Sequence, residues 1–161
     1  QAFTDPLTGK GNRHKFLSEM DNHLNKKNKF AVCFMDLDGF KHVNDTHGHL
    51  VGDYILQELS KISTICSRVT DIVARWGGEE FVVMLPQTNI EQAFLVGEKL
   101  RATIEKHKFD TVKHITCSIG VSQFHKNEDK DTLFKRVDSA LYKAKKCGRN
   151  RVEMELIEGN I

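Results

Sequence analysis

No stretch of this chain is long and apolar enough to read as a signal peptide or a membrane span, which excludes direct bilayer insertion by this segment. There is no internal repeat and no low-complexity tract, and proline occurs only twice in 161 residues, so linker, collagen-like and polyproline readings fall away. Cysteine is sparse and wrongly spaced for a framework. Cys33, Cys66, Cys117 and Cys147 stand far apart, three of them in apolar patterns, and read as buried free thiols of a reducing compartment. The eight histidines give one close pair, His47 and His49, with no Cys or His partner at zinc-site spacing. An excess of one charge is also missing. Against 24 Lys and Arg stand 22 Asp and Glu, a formal net charge of +2, too little for a general nucleic-acid or membrane surface. An anionic ligand would therefore be met by local basic groups.

What is present fits one soluble globular domain over residues 1–161, with 39% hydrophobic and 29% charged residues and room for an ordinary core. The first residue is Gln1, not methionine, which leads to the expectation that this is a piece of a longer protein whose remainder is mainly N-terminal. Phe16, Leu17, Met20 and Leu24 at helical spacing predict a helix over about Asn12–Lys26. Phe30–Met35 is a continuous apolar run, expected of a central strand covered on both faces. A short helical turn over Phe40–His47 precedes a longer helix from about Leu50, striped by Tyr54, Ile55, Leu59, Ile62 and Ile65. Ile72–Trp76 and Phe81–Leu85 read as a hairpin, Ile90–His107 as a helix and His114–Ser122 as a strand. A last helix carries Leu133, Phe134, Val137, Leu141 and Ala144, ends near Gly148, and precedes a strand over Arg151–Leu156. This order predicts a mixed α/β (α+β) domain of the split βαβ, ferredoxin-like kind.

Two acidic stretches carry the chemistry. The hairpin connection Gly77-Gly78-Glu79-Glu80 puts adjacent carboxylates on a turn in which glycines supply positive φ. Like charges so placed repel unless a cation or proton sits between them. A solvated charged turn is the plain alternative. The strand run ends in Asp36-Leu37-Asp38-Gly39, and if it pairs with the hairpin, Asp36 and Glu79 converge from two backbone segments, a donor set suited to Mg²⁺ against substrate phosphates. Asp38 reads equally well as a turn former.

Gly77-Gly78-Glu79-Glu80-Phe81 resembles the signature of the GGDEF family, the bacterial diguanylate cyclases, in its GGEEF form. Asp5-Pro6-Leu7-Thr8-Gly9, Asp36-Leu37-Asp38-Gly39-Phe40-Lys41, Asn44-Asp45, Gly48-His49, Gly52-Asp53, Ala140-Leu141-Tyr142-Lys143-Ala144-Lys145 and Gly148-Arg149-Asn150 resemble that family in order, over almost the whole chain. Lys10-Gly11 departs from it, where an apolar residue is more usual. The resemblance implies a palm-like fold similar to adenylate cyclases and the condensation of two GTP into cyclic di-GMP and two pyrophosphates by a homodimer. It implies Mg²⁺ or Mn²⁺, two per site, held by Asp36, the Leu37 backbone, Glu79 and Glu80, with Glu80 near the attacking oxygen. It implies guanine recognition by Asn44 and Asp53, whose other reading is helix capping and helix-start charge. His49, Phe40, Lys41 and Gly78 are expected around the nucleotide, and Lys145 and Arg149 on its phosphates, where they could otherwise be charges complementing a helix end. Arg68 and Asp71, five residues ahead of Gly77, resemble the RxxD inhibitory site that binds the product. An upstream sensory or receiver module and a cytoplasmic bacterial setting are implied as well. A silent GGDEF domain sensing GTP or cyclic di-GMP, and a relative making cyclic GMP-AMP, are the alternatives.

Overall fold

A computed structural model describes residues 3–157. Helix α1 (Arg13–Asn25) begins at Asn12, whose side chain accepts from the Lys15 amide, and it buries Phe16 and Met20. Strand β1 (Phe30–Leu37) is buried at every residue. Gly39, at φ 70°, turns the chain from β1 into helix α2 (Phe40–His47), and Gly48, at φ 87°, separates α2 from α3 (His49–Ile65). Strands β2 (Ile72–Gly77) and β3 (Glu80–Pro86) form the hairpin. Helix α4 (Ile90–Lys106) starts in a reciprocal capping box between Asn89 and Gln92, which satisfies two otherwise unpaired amides. Strand β4 (Cys117–Gln123), helix α5 (Lys130–Lys146) and strand β5 (Arg151–Met154) complete the order.

The sheet runs β2-β3-β1-β4-β5, with β1 central. It is antiparallel except for the parallel β4–β5 pair. β1 and β2 are joined through α2 and α3 while β3 lies between them, which is the split arrangement expected. Alternation along β1 sorts the core into two layers. Ala31, Cys33, Met35 and Leu37 meet the α3 and α4 side with Ile55, Leu59, Leu100 and Ile104. Phe30, Val32 and Phe34 meet Phe16, Met20, Leu133 and Val137 from α1 and α5. At Gly120 of β4 the helix α5 comes so close that a Cβ would stand 2.3 Å from the Leu141 backbone nitrogen. Only glycine allows that approach.

Two strand boundaries and the burial of two cysteines differ from the sequence expectation. β4 starts at Cys117 and not at His114, because the preceding residues form a tight excursion with Thr111 and Lys113 at positive φ and a bridge between Phe109 and Lys113. β5 stops at Met154, short of Leu156. Of the cysteines, Cys33 and Cys117 are buried as expected, whereas Cys66 is half-buried and Cys147 exposed. Burial pushes the Cys33 thiol up to about 12, so it is inert as a nucleophile. Among the described residues no helix is long and apolar enough to cross a membrane.

Candidate active site

Asp36 faces Glu80 directly across the antiparallel β1–β3 pair, and Ser118 across β1–β4. Opposed residues share a face, so both carboxylates continue the Phe30, Val32, Phe34 row toward α1 and α5. Asp36 is 7% exposed. Its Oδ2 is met by Lys145 Nζ from α5, whereas its buried Oδ1 has no partner among the described residues. Burial raises the Asp36 carboxyl above the usual range, Glu79 and Asp38 add to the rise, and Lys145 opposes it. Glu80 is raised by burial and by Asp36, again with Lys145 opposing. Asp138, two turns before Lys145 on α5, is also raised by burial and held back by Lys145. One ammonium thus stands among several carboxylates. Asp138 belongs to this cluster and has no signal in the sequence beyond its spacing from Lys145.

The hairpin tip is a two-residue turn, Gly78-Glu79, closed by the pair Gly77 and Glu80. Within it only Gly78 has positive φ, 44°. Gly77 does not, which corrects the expectation that both glycines are needed for conformation. The register shifts between Arg75 and Gly77, leaving Trp76 as an extra residue beneath the Arg13 guanidinium, whose Cζ lies 4.3 Å from the ring centre. Arg75 braces the tip. Its Nε donates to the Gly78 carbonyl at 3.0 Å and its Nη1 to Asp5 Oδ1 at 3.2 Å. Asp5 in turn accepts from the Thr8 amide and hydroxyl at 2.9 and 2.8 Å. The Asp5–Gly9 motif is therefore a strut under the acidic turn, across a separation of 70 residues.

Beside the tip lies a cavity of about 440 Å³ lined by Phe40, Lys41, Asn44, His49, Asp53, Leu56, Arg75, Gly78 and Glu79. All but two of these are residues the sequence singles out for nucleotide or metal; Leu56 and Arg75 are additions. Asn44 Oδ1 is buried without a partner among the described residues, tucked over Gly52, where a Cβ would stand 2.0 Å from it. Asp53 is exposed on α3 just past its first turn, which holds no acidic residue because the helix starts at His49, so the expected helix-start placement is corrected. Lys41 is on the rim, with its side chain 89% exposed and paired to Asp45 at 2.9 Å.

Arg149 is not among the residues lining this cavity. It is exposed, at φ 62°, in the turn after α5. Arg68 and Asp71 sit elsewhere, on a depression of about 290 Å³ with Lys10, Thr64, Ser67, Val69 and Val73. They already hold each other: Arg68 Nη2 donates to Asp71 Oδ1 at 2.8 Å, to the Pro86 carbonyl at 3.0 Å and to Thr88 Oγ1 at 2.9 Å. The Asp71 side chain is 2% exposed and that of Arg68 53%.

Among the described residues no three Asp, Glu, His or Cys side chains converge as a metal-binding group. Glu79 faces the cavity while Asp36 and Glu80 face α5, and the Lys145 ammonium holds Asp36. The donors nonetheless suit a hard divalent cation. A buried carboxylate oxygen lacks a partner among the described residues, and the mutual repulsion of Asp36, Glu79 and Glu80 is what such a cation would relieve.

The chain is similar to known proteins in sequence and in structure. The sequence family described as "Diguanylate cyclase, GGDEF domain" matches residues 2–151. Diguanylate cyclase DgcM of Escherichia coli K12 is 42% identical over 94% of this chain and 38% of its own length. Diguanylate cyclase A of Treponema denticola is 39% identical over 94% of this chain and 44% of its own length. The chain thus spans well under half of these relatives. Among solved structures, diguanylate cyclase SiaD of Pseudomonas aeruginosa, in complex with its activator SiaC, superposes with TM-score 0.89 at 33% identity, covering 94% of this chain and 61% of that one. The coiled coil and GGDEF domain of DgcB from Caulobacter crescentus, in complex with c-di-GMP, gives 0.88 at 28% identity, covering 95% and 85%.

Proposed function

This chain belongs to the GGDEF family of diguanylate cyclases, and on that premise we propose that it condenses two GTP into cyclic di-GMP and two pyrophosphates. The observation that carries the reading is a nucleotide-sized cavity with Asn44, Asp53 and Glu79 in its wall, at a hairpin tip whose next residue, Glu80, is paired across the sheet with Asp36. Asn44 offers its amide and Asp53 its carboxylate to the guanine edge, the latter accepting from N1 and N2. Phe40 and His49 flank the base, and Lys41 stands at the mouth. Lys145 and Arg149 supply cationic donors to the triphosphate. Asp36, the Leu37 carbonyl, Glu79 and Glu80 are the groups that would hold Mg²⁺ or Mn²⁺, which when bound lowers the pKa of a hydroxyl and neutralises phosphate charge. Glu80 is the residue assigned to the attacking 3′-hydroxyl.

The product has two-fold symmetry and one chain has residues for one GTP, so two copies facing each other give each 3′-hydroxyl its target. Incubation with GTP and Mg²⁺ at several protein concentrations, with the product identified by mass, tests this. Cyclic di-GMP should form at a rate rising with the square of protein concentration at the dilute end. A first-order dependence over a range in which sedimentation shows the protein to be monomeric would remove the dimer requirement, and absence of cyclic product at every concentration would remove the cyclase reading.

Arg68 and Asp71 are assigned to product inhibition. The support is an arginine fork that is half exposed and held in place by a buried aspartate, a geometry that can address guanine O6 and N7 or a phosphate. Arg68→Ala should keep its initial rate and continue past the point where the unaltered protein stalls. Progress curves with added cyclic di-GMP measure this, and identical inhibition in both proteins would return the pair to a surface strut.

A further inference from the structure

Helix α5 ends in an unusual run. Gly148, Arg149 and Asn150 all have positive φ, at 122°, 62° and 45°. The Arg149 amide reaches back to the Ala144 carbonyl at 2.9 Å, as the residue beyond the glycine does in a Schellman cap. Glycine adopts this region freely and asparagine tolerates it, but arginine does so at a cost of about 1 kcal/mol or more. Such a turn persists when its surroundings over-determine it.

Asn150 is where they do so. Its backbone amide donates to Asp38 Oδ2 at 3.0 Å, its Oδ1 accepts from Arg101 Nη1 at 2.9 Å, and its Nδ2 donates to Glu105 Oε2 at 2.7 Å. Each anchor is itself fixed. Asp38, just past β1, also accepts from the Thr116 hydroxyl at 2.7 Å and from the Ser118 hydroxyl at 2.7 Å. Arg101 bonds Glu98 and Glu105 at 3.0 Å along α4, with its side chain 16% exposed. The Asn150 side-chain amide thus uses both its ends, and the turn is tied to β1, β4 and α4 at once. Arg149, by contrast, stands exposed beside this anchored residue.

We propose that Asp38, Arg101, Glu105 and Asn150 are positioning residues for the triphosphate: they hold the left-handed turn and thereby fix where Arg149 stands. The proposal rests on the reading of Arg149 as a phosphate ligand. It also separates Asp38 from Asp36, two residues away. Asp36 keeps one oxygen without a partner among the described residues, whereas both oxygens of Asp38 are committed to protein donors.

Asn150→Gly tests the proposal, because glycine keeps the backbone conformation and removes the side-chain ties. Binding of a non-hydrolysable GTP analogue with Mg²⁺ is measured by calorimetry, and binding of guanosine by NMR titration. Arg149→Ala should weaken the triphosphate analogue about tenfold and leave guanosine unchanged. Asn150→Gly should weaken the analogue roughly threefold to tenfold, again without effect on guanosine, and should add nothing in the Arg149→Ala background. Arg101→Gln, which frees Asn150 from the far side, should repeat that pattern and serves if Asn150→Gly does not fold. A loss that is additive with Arg149→Ala, a loss shared by guanosine, or no loss at all overturns the positioning role. If Arg149→Ala itself changes nothing, the phosphate reading of Arg149 fails first and the proposal falls with it.

Discussion

Glu80→Gln is expected to lower cyclic di-GMP formation by about three orders of magnitude or more, while the protein remains folded. The amide keeps the shape and the β3 backbone pairing, but it neither takes a proton nor binds a hard cation as a carboxylate does. Stability supplies an internal control whose sign is fixed. The Glu80 carboxyl is raised above its reference value of 4.5 by burial and by Asp36, so its ionised form is disfavoured in the folded state. That penalty is present above the raised folded-state value, fades as pH falls through it, and is gone below the reference value. Glu80→Gln should therefore melt at the same or a higher temperature than the unaltered protein near pH 7, and the difference should close toward about pH 4. Single-turnover rates and thermal melts across that range measure both. Turnover like the unaltered protein's would remove Glu80 from the chemistry, and a variant that melts far lower at neutral pH would make Glu80 a structural residue.

Gly52→Ala should lower kcat/KM for GTP roughly tenfold to hundredfold at little cost to the fold. In an exposed helix the change would gain up to about 1 kcal/mol. Here the added carbon meets Asn44 Oδ1 at 2.0 Å and the Phe40 ring at 3.2 Å. The nearest clash is with the end of a movable side chain, so Asn44 rotates away and the helix survives. The loss falls on recognition of the base. The same substitution in an Asn44→Ala background should have almost no further effect. Equal losses in both backgrounds would show that Gly52 acts through something other than Asn44.

Much of this site is legible in the chain because local patterns write it. An apolar strand run ending in Asp36, glycines before Glu79 and Glu80, and helical stripes around Asn44 and Asp53 place the elements within a few residues. The partners are harder to read. Arg75 meets Asp5 across 70 residues, and Asp38 meets Asn150 across 112. Neither pair has a spacing that any local periodicity would mark. Asp36 and Asp38 look alike in sequence, and only the neighbouring strand and the turn after α5 give them different work. His114–Thr116 reads as strand from its composition, but the tight excursion before it, with Thr111 and Lys113 at positive φ and a bridge between Phe109 and Lys113, starts the pairing later. Gly77 looks like a conformational necessity beside Gly78, yet the bulge at Trp76 leaves it with ordinary φ.

Gly120 sets a manufacturing tolerance. Most helices rest on a sheet through a layer of side chains, and each rotamer in that layer adds slack between the two backbones. Where Leu141 and Ala140 lie against Gly120 there is no such layer, so the position of α5 is gauged off the strand itself. Phe34 is the neighbour of Gly120 in the sheet and Asp36 lies two residues on, while Lys145 follows Leu141 by one helical turn. The ammonium and the carboxylate it faces are therefore referenced to nearly the same datum, and little error accumulates between them.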